Sequence, residues 1–456
     1  MKKIIITFLL AIIGVYPIST LAQNQTKDFN SLTKEERIAD LKYFTNQILT
    51  THPAPYEITK QSEWEQQVKK LENGIENLDV SGFFFRLQEA AALVDDIHTS
   101  VFPIDNLGLL TTTYPIRFRW MNNGIFVRAS DKTNYELIGT KLITVQDVAI
   151  EDIIKEIIKF APGNSKRQDS NVILAYLLCP DTYRYLGLLS DDNYIKLEVI
   201  DAEGKQKKVI LKPETVSLMS AYNSNTVTGW AVPPGWSSIL NIKKNKIPIF
   251  YKRRDEMAWF QPLSEKNALL VQINQPKPDD NNTMLNFISS LFDHLINNKY
   301  ERIILDLRGN EGGWFILTNS LAGLFSTFLE PKLYVLIGSE TASAGVVLAT
   351  QIEKQTNAIF IGEGTGSSPN FYGSYKVETL PNSGFYYRIS TMQYVISMPQ
   401  DDRIRLWPDV AVLERVEDIL IGRDSAMEKA LSLRLDEFDN AQYSWYGRWM
   451  RPSQKH

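Results

Sequence analysis

From Asn267 onward, short apolar runs alternate with longer amphipathic ones, and this rhythm constrains the fold more than any other feature of the chain. Ala268 to Ile273, Arg302 to Leu307, Leu333 to Ile337 and Ala358 to Ile361 are short and almost wholly apolar. They read as strands buried on both faces. Met284 to Ile296, Trp314 to Phe325 and Ser343 to Lys354 read as the helices between them. Strands joined by helices make a layered α/β domain, whose ligand sites favour the C-terminal ends of the strands.

Upstream the periodicities differ. Residues 23–99 read as a helical domain. Thr33 with Glu36, and Ser62 with Glu65, each predict a capping box, and Asp79 or Ser81 caps a third helix carrying Phe84, Leu87 and Ala91. Residues 100–265 form a mixed, β-rich middle region. In it, Ile150, Ile153, Ile154, Ile157 and Ile158 make one helical stripe. Tyr194 to Ile200 and Lys208 to Leu211 flank a hairpin turn at Asp201 to Gly204. Residues 215–266 show little periodicity. Residues 266–456 hold the α/β domain.

The first 22 residues read as a signal peptide. Lys2 and Lys3 precede an apolar run from Ile4 to Ile18, and Thr20 and Ala22 supply small residues for cleavage before Gln23. The run is short for a membrane span of ~20 residues. The expected product is exported, periplasmic or extracellular, with no stable membrane span after cleavage.

Composition removes several function classes. The net charge of −4 argues against a nucleic-acid partner. One cysteine, Cys179, and four histidines leave no basis for a cysteine-zinc or iron–sulfur site, and no metal or organic cofactor is expected.

Three segments could carry chemistry, each at a strand's C-terminal end. Asp306 to Gly313 ends in two glycines, whose backbone N–H groups suit an oxyanion hole. In Gly338 to Gly345, Ser343 stands at a helix start among small neighbours. Alone it reads most simply as a serine N-cap. Gly362 to Pro369 is glycine-rich without the lysine of a phosphate loop. A serine nucleophile needs a base. His294 lies mid-helix among apolar residues, whereas His98 lies in Asp95-Asp96-Ile97-His98-Thr99, where helix gives way to strand.

In this order the pieces resemble the tail-specific, or C-terminal processing, protease family. The resemblance rests on Asp306-x-Arg308-x-Asn310-x-Gly312-Gly313, on Thr341-Ala342-Ser343-Ala344 and on Gly362-Glu363-x-Thr365. Trp407-Pro408-Asp409-Val410, a terminal helix over Asp424 to Leu431 and the His98 segment add to it. It implies a serine endopeptidase acting on protein or peptide substrates, with a crotonase- or ClpP-like catalytic core. It also implies, more weakly, a PDZ-like module around Gly139 to Phe160. One branch of the family uses a Ser–Lys dyad, but Ser367 and Ser368 stand where that lysine belongs, and the first lysine after the loop is Lys376. The resemblance is closer to the histidine branch typified by the tricorn core. By that resemblance Ser343 is the nucleophile, His98 the base and Asp402 its orienting acid. Gly312 and Ala344 supply the oxyanion N–H groups, and Asp95, Asp96 and Glu363 are rival orienters. The alternative is a non-catalytic ligand- or peptide-binding protein on the same scaffold.

Overall fold

The computed structural model describes residues 29–433, apart from 103–108, 122–123, 164–168, 191, 219, 222–231, 242–246, 277–280, 314 and 329–331. The expected signal peptide at residues 1–22 lies outside the described residues. The described chain divides into two compact units, one of 29–241 with 371–394 and one of 247–370 with 395–433.

The first unit opens with helices α1 (Lys34–Thr51), α2 (Gln61–Glu72) and α3 (Val80–Ala92). The capping box of α1 is formed in full. Thr33 Oγ1 accepts the Glu36 N–H at 3.2 Å and Glu36 Oε2 accepts the Thr33 N–H at 3.0 Å. Asp79 caps α3 by accepting the Gly82 N–H at 2.6 Å. The second expected box does not form. Helix α2 already starts at Gln61, so Ser62 is inside the first turn and the cap position falls on Lys60, which makes no side-chain cap bond.

Strands β1 (Ser100–Val101), β2 (Ile116–Met121), β3 (Gly124–Ser130), β4 (Lys141–Val145) and β5 (Val148–Ala149) follow. After them come α4 (Ile150–Ile158), α5 (Asn171–Tyr176), α6 (Pro180–Tyr185), β6 (Ile195–Ile200), β7 (Gln206–Leu211) and β8 (Ser237–Ser238). An antiparallel sheet runs β2-β3-β4-β6-β7, with β5 beside β4 and β8 beside β3. The β6–β7 hairpin turns through Gly204 at φ +81°, a conformation glycine adopts without a Cβ penalty. The stripe on α4 is buried at Ile150, Ile153, Ile154 and Ile157. Phe44, Ile48, Phe83, Phe84 and Phe85 from the helices share one apolar cluster with Val145, Ile153 and Leu197. The N-terminal helices and the middle region, distinct in periodicity, thus have a common core.

The second unit is built from β9 (Ala258–Leu263), β10 (Ala268–Ile273), α7 (Thr283–Asn297), β11 (Arg302–Asp306), α8 (Thr318–Thr327), β12 (Lys332–Ile337), α9 (Ala344–Gln355) and β13 (Ile359–Gly362). The chain then enters the first unit as the hairpin β14 (Asn370–Thr379) and β15 (Tyr386–Val395). There β15 pairs with β1, placing Ser100 opposite Arg388. Returning, the chain adds β16 (Val410–Ala411), α10 (Val416–Leu420) and α11 (Ser425–Ser432).

The sheet order is β16-β13-β12-β11-β10-β9, parallel throughout except for β9. Register explains why its strands read as unbroken apolar runs. Val271, Leu305, Val335 and Phe360 are in line and join the cluster containing Leu291, Leu321, Leu348 and Ile352 of the helices. The next row, Leu270, Ile304, Tyr334 and Ile359, packs with Ala426, Met427 and Ala430 of α11. Each such aliphatic side chain contributes roughly 1.5–3 kcal/mol by leaving water. Sequence reading missed β9 because Pro262 interrupts it. Pro262 is tolerated because β9 is an edge strand with only β10 beside it.

Candidate active site

Each unit presents one cluster of functional groups. In the second unit the loops after β11, β12 and β13 are locked together. Thr341 Oγ1 donates to the Leu307 carbonyl at 2.8 Å and accepts the Gly338 N–H at 3.0 Å. The Asn310 carbonyl accepts the Ala342 N–H at 2.9 Å, and the Thr341 carbonyl accepts the Gly366 N–H at 2.8 Å. Arg308 anchors the first loop from below. Its guanidinium donates to Asp306 at 2.6 Å and to both oxygens of Asp424 at 2.8 Å. Burial works against the Arg308 charge, but the two carboxylates outweigh it and hold its pKa well above the ordinary value. Asp424 also caps α11 by accepting the Met427 N–H.

Ser343 is not an ordinary N-cap. An N-cap has extended backbone and a side chain that accepts a helix N–H. Ser343 has φ +47° and ψ −121° and makes no side-chain cap bond. A non-glycine residue held there stores backbone strain of order 1–3 kcal/mol, which persists only when the surroundings over-determine it. The restraints are visible: the Ser343 N–H donates to Ser367 Oγ at 3.0 Å, and its neighbour Ala342 is bound to Asn310. A sharp, strained turn into a helix is the local geometry that exposes a nucleophilic hydroxyl. Sequence reading identified Ser367 only by its occupying the place of a lysine; its part in holding Ser343 had no signal.

Gly312 lies against the serine. A Cβ on Gly312 would stand 2.6 Å from Ser343 Cβ and 3.1 Å from its Oγ. Its φ of +119° also favours glycine. The Gly312 N–H already donates to Asn310 Oδ1 at 3.1 Å. What Gly312 supplies directly is therefore space. Ala344 is the first residue of α9, where the helix offers its N–H no i−4 carbonyl.

In the first unit, His98 Nδ1 lies 2.7 Å from the Tyr372 carbonyl oxygen. A carbonyl can only accept, so Nδ1 carries the proton and the lone pair of the neutral ring sits on Nε2. That is the tautomer a general base needs. The ring keeps 16% of its surface exposed. Asp96 is buried beside it, 3.8 Å from Nδ1. The expected orienter, Asp402, lies in the second unit and is exposed.

The other candidates have different employment. Glu363 accepts the Glu414 N–H at 2.8 Å. Asp95 sits at φ +46°. Lys376 is mostly exposed and pairs with Glu378 at 2.5 Å, an interaction that raises its pKa rather than depressing it. His294 Nε2 meets the Tyr300 hydroxyl at 2.6 Å, and the Cys179 thiol is buried with its pKa pushed up by desolvation.

No protein-family model matches this sequence, and no curated protein is similar to it. Solved structures do match. A point mutant of CPAF is similar at a TM-score of 0.61, with 11% identity over 88% of this chain and 97% of that one. Mature CPAF matches at 0.60, with the same identity and coverage. The photosystem II D1 C-terminal processing protease has 13% identity over 87% of this chain and 99% of that one, at a TM-score of 0.40. The likeness to CPAF spans both units, and the chain has the fold of mature CPAF.

Proposed function

We propose that the chain is a serine peptidase of the tail-specific protease type, cleaving peptide bonds through an acyl-enzyme on Ser343 with His98 as base. The observation that carries this reading is the backbone of Ser343: left-handed, uncapped and pinned by Ser367 at the mouth of a helix. A structural serine gains nothing from that conformation. The motifs of three loops and the CPAF-like fold support the same class.

The chemistry follows from the two clusters. Ser343 Oγ attacks the scissile carbonyl carbon as its proton passes to His98 Nε2, and the carbonyl electron pair moves onto oxygen. The Ala344 N–H donates to that oxyanion, and Gly312 can add its own N–H only by releasing Asn310. Collapse expels the amine, which takes the proton from His98 and leaves an ester on Ser343. Water, deprotonated by His98, then hydrolyses the ester and restores the serine.

The finer architecture belongs to the same proposal: a crotonase-like core around β10–β13 and a PDZ-like module around β4 and α4. So does export, with the mature chain starting at Gln23; N-terminal sequencing of secreted protein checks it, and retention of Met1 to Ala22 refutes it.

A fluorophosphonate probe tests the activity. Ser343 is expected to label, and Ser343→Ala and His98→Ala to abolish both labelling and cleavage. Lys376→Ala should leave both intact. A protein that folds but never labels is a binding protein, and one that depends on Lys376 but not His98 uses a lysine base.

A further inference from the structure

His98 shares a buried carboxylate with a second imidazole. Asp96 Oδ1 accepts the His98 backbone N–H at 3.0 Å. Asp96 Oδ2 accepts from the hydroxyls of Thr99 at 2.8 Å and Ser390 at 2.5 Å, and faces His52 Nε2 at 3.6 Å. His52 is itself buried. Its Nδ1 accepts the Ala54 N–H at 3.2 Å, so the proton of the neutral ring sits on Nε2, on the side of Asp96. Tyr372 ties the group together. Its carbonyl meets His98, its ring centroid lies 4.7 Å from that of His52, and its hydroxyl bonds to Glu57. The rings of Phe371 and Tyr375 flank His98 at 6.1 and 6.3 Å. A nearby cation among the described residues is Arg388, which lies over Tyr375 and donates to the Ile97 carbonyl and the Ser100 hydroxyl.

In the Ser-His-Asp template one carboxylate fixes the imidazole tautomer and also offsets the charge it acquires. We infer that these two tasks are divided here: the Tyr372 carbonyl fixes the tautomer of His98, and Asp96, held by the Thr99 and Ser390 hydroxyls and facing His52, offsets the imidazolium charge. The inference rests on the reading of His98 as the base. A carbonyl has no net charge, so it cannot do the second task alone. Burial by itself would push Asp96 up, but the facing imidazoles and the Ser390 hydroxyl outweigh it and keep the carboxyl well below the usual range. Asp96 is thus an anion wherever an imidazole titrates. It touches no reacting atom and is a positioning residue.

The test compares Asp96→Asn, Ser390→Ala and Asp402→Asn. The rate of Ser343 labelling is followed against pH, and the His98 ring is followed by 15N NMR, with its signals assigned by their loss in His98→Gln. Removing an anion disfavours the imidazolium, so in Asp96→Asn both the acid limb and the NMR transition should move down by about one to three pH units. The Nδ1 proton should stay in place. Ser390→Ala removes a bond to the same oxygen but no charge, and should leave both midpoints unmoved. Asp402→Asn should do likewise. An unmoved midpoint in Asp96→Asn, or a shift in Asp402→Asn instead, overturns the inference. If Asp96→Asn fails to fold, Asp96→Glu decides: retention of both the midpoint and the wild-type tautomer supports it, and a midpoint that falls although the charge is kept overturns it. A wild-type neutral ring protonated at Nε2 also overturns it. Because the NMR transition needs no turnover, a protein whose Ser343 never labels would refute the peptidase reading while Asp96 could still be judged.

Discussion

At the scale of single residues, the contact between Gly312 and Ser343 is the most sensitive point of the second unit. Any side chain at 312 must displace the serine or the start of α9, since both the Ser343 Cβ and the Ala344 amide lie within 3.2 Å of the position a Cβ would take. The φ of +119° at this position, easy for glycine, strains any other residue and adds to the cost. Gly312→Ala is therefore expected to fold, with a stability loss of about 1–3 kcal/mol, and to lose at least a hundredfold in labelling rate. Labelling kinetics beside a urea melt check this, and a Gly312→Ala protein that labels at the wild-type rate shows that the serine does not need that space. Sequence reading proposed Ser343, Gly312 and His98 through the resemblance of their motifs, since a serine at a helix start alone reads as an N-cap. It could not reach the Tyr372 carbonyl, because every residue has a carbonyl and only the fold selects one. The link between His98 and Tyr372 spans 274 positions, with no local pattern to announce it.

At the scale of elements, strands β10 to β13 of the parallel sheet were legible almost residue for residue, whereas β16 was not. Double-sided burial forces continuous apolar runs. The hairpin of β14 and β15 was not legible. Its strands are only partly buried and mix aromatic, polar and charged side chains, so neither periodicity stands out. The C-terminal helix α11 was read by resemblance, and the structure supplies the physical reason for its position. Asp424 both caps α11 and pairs with Arg308 below the Ser343 loops. Asp424→Ala removes a cap and leaves a largely buried guanidinium with Asp306 alone. It should cost about 3 kcal/mol. A denaturant melt measures the loss, and a change below about 0.5 kcal/mol would mean that Arg308 finds another acceptor.

At the scale of the whole molecule, acid affects activity and stability in different ranges. A histidine base loses activity on acidification where imidazoles protonate, roughly pH 6–7. Stability depends on carboxyls whose pKa differs between folded and unfolded chains. Asp96 in the first unit and Asp424 in the second are both held below the ordinary range, against the opposing effect of burial. A carboxyl depressed in this way contributes stability that is fully present above its unfolded value, ~3.9, and is lost as pH falls through the folded value. Glu89, raised by burial, acts with the opposite sign and favours the folded state as pH falls. Between pH 7 and 5 neither depressed group changes its proton occupancy in either state. Asp96 and Asp424 should therefore contribute no change in melting temperature over that interval while the cleavage rate falls more than tenfold, and return to pH 7 should restore the rate in full. Below about pH 4 the melting temperature should drop steeply as the unfolded chain takes up the protons that Asp96 and Asp424 refuse. Circular dichroism melts and cleavage rates measured on the same samples separate the two. If the melting temperature collapsed together with the rate between pH 7 and 5, the loss of activity would be unfolding rather than the titration of a base.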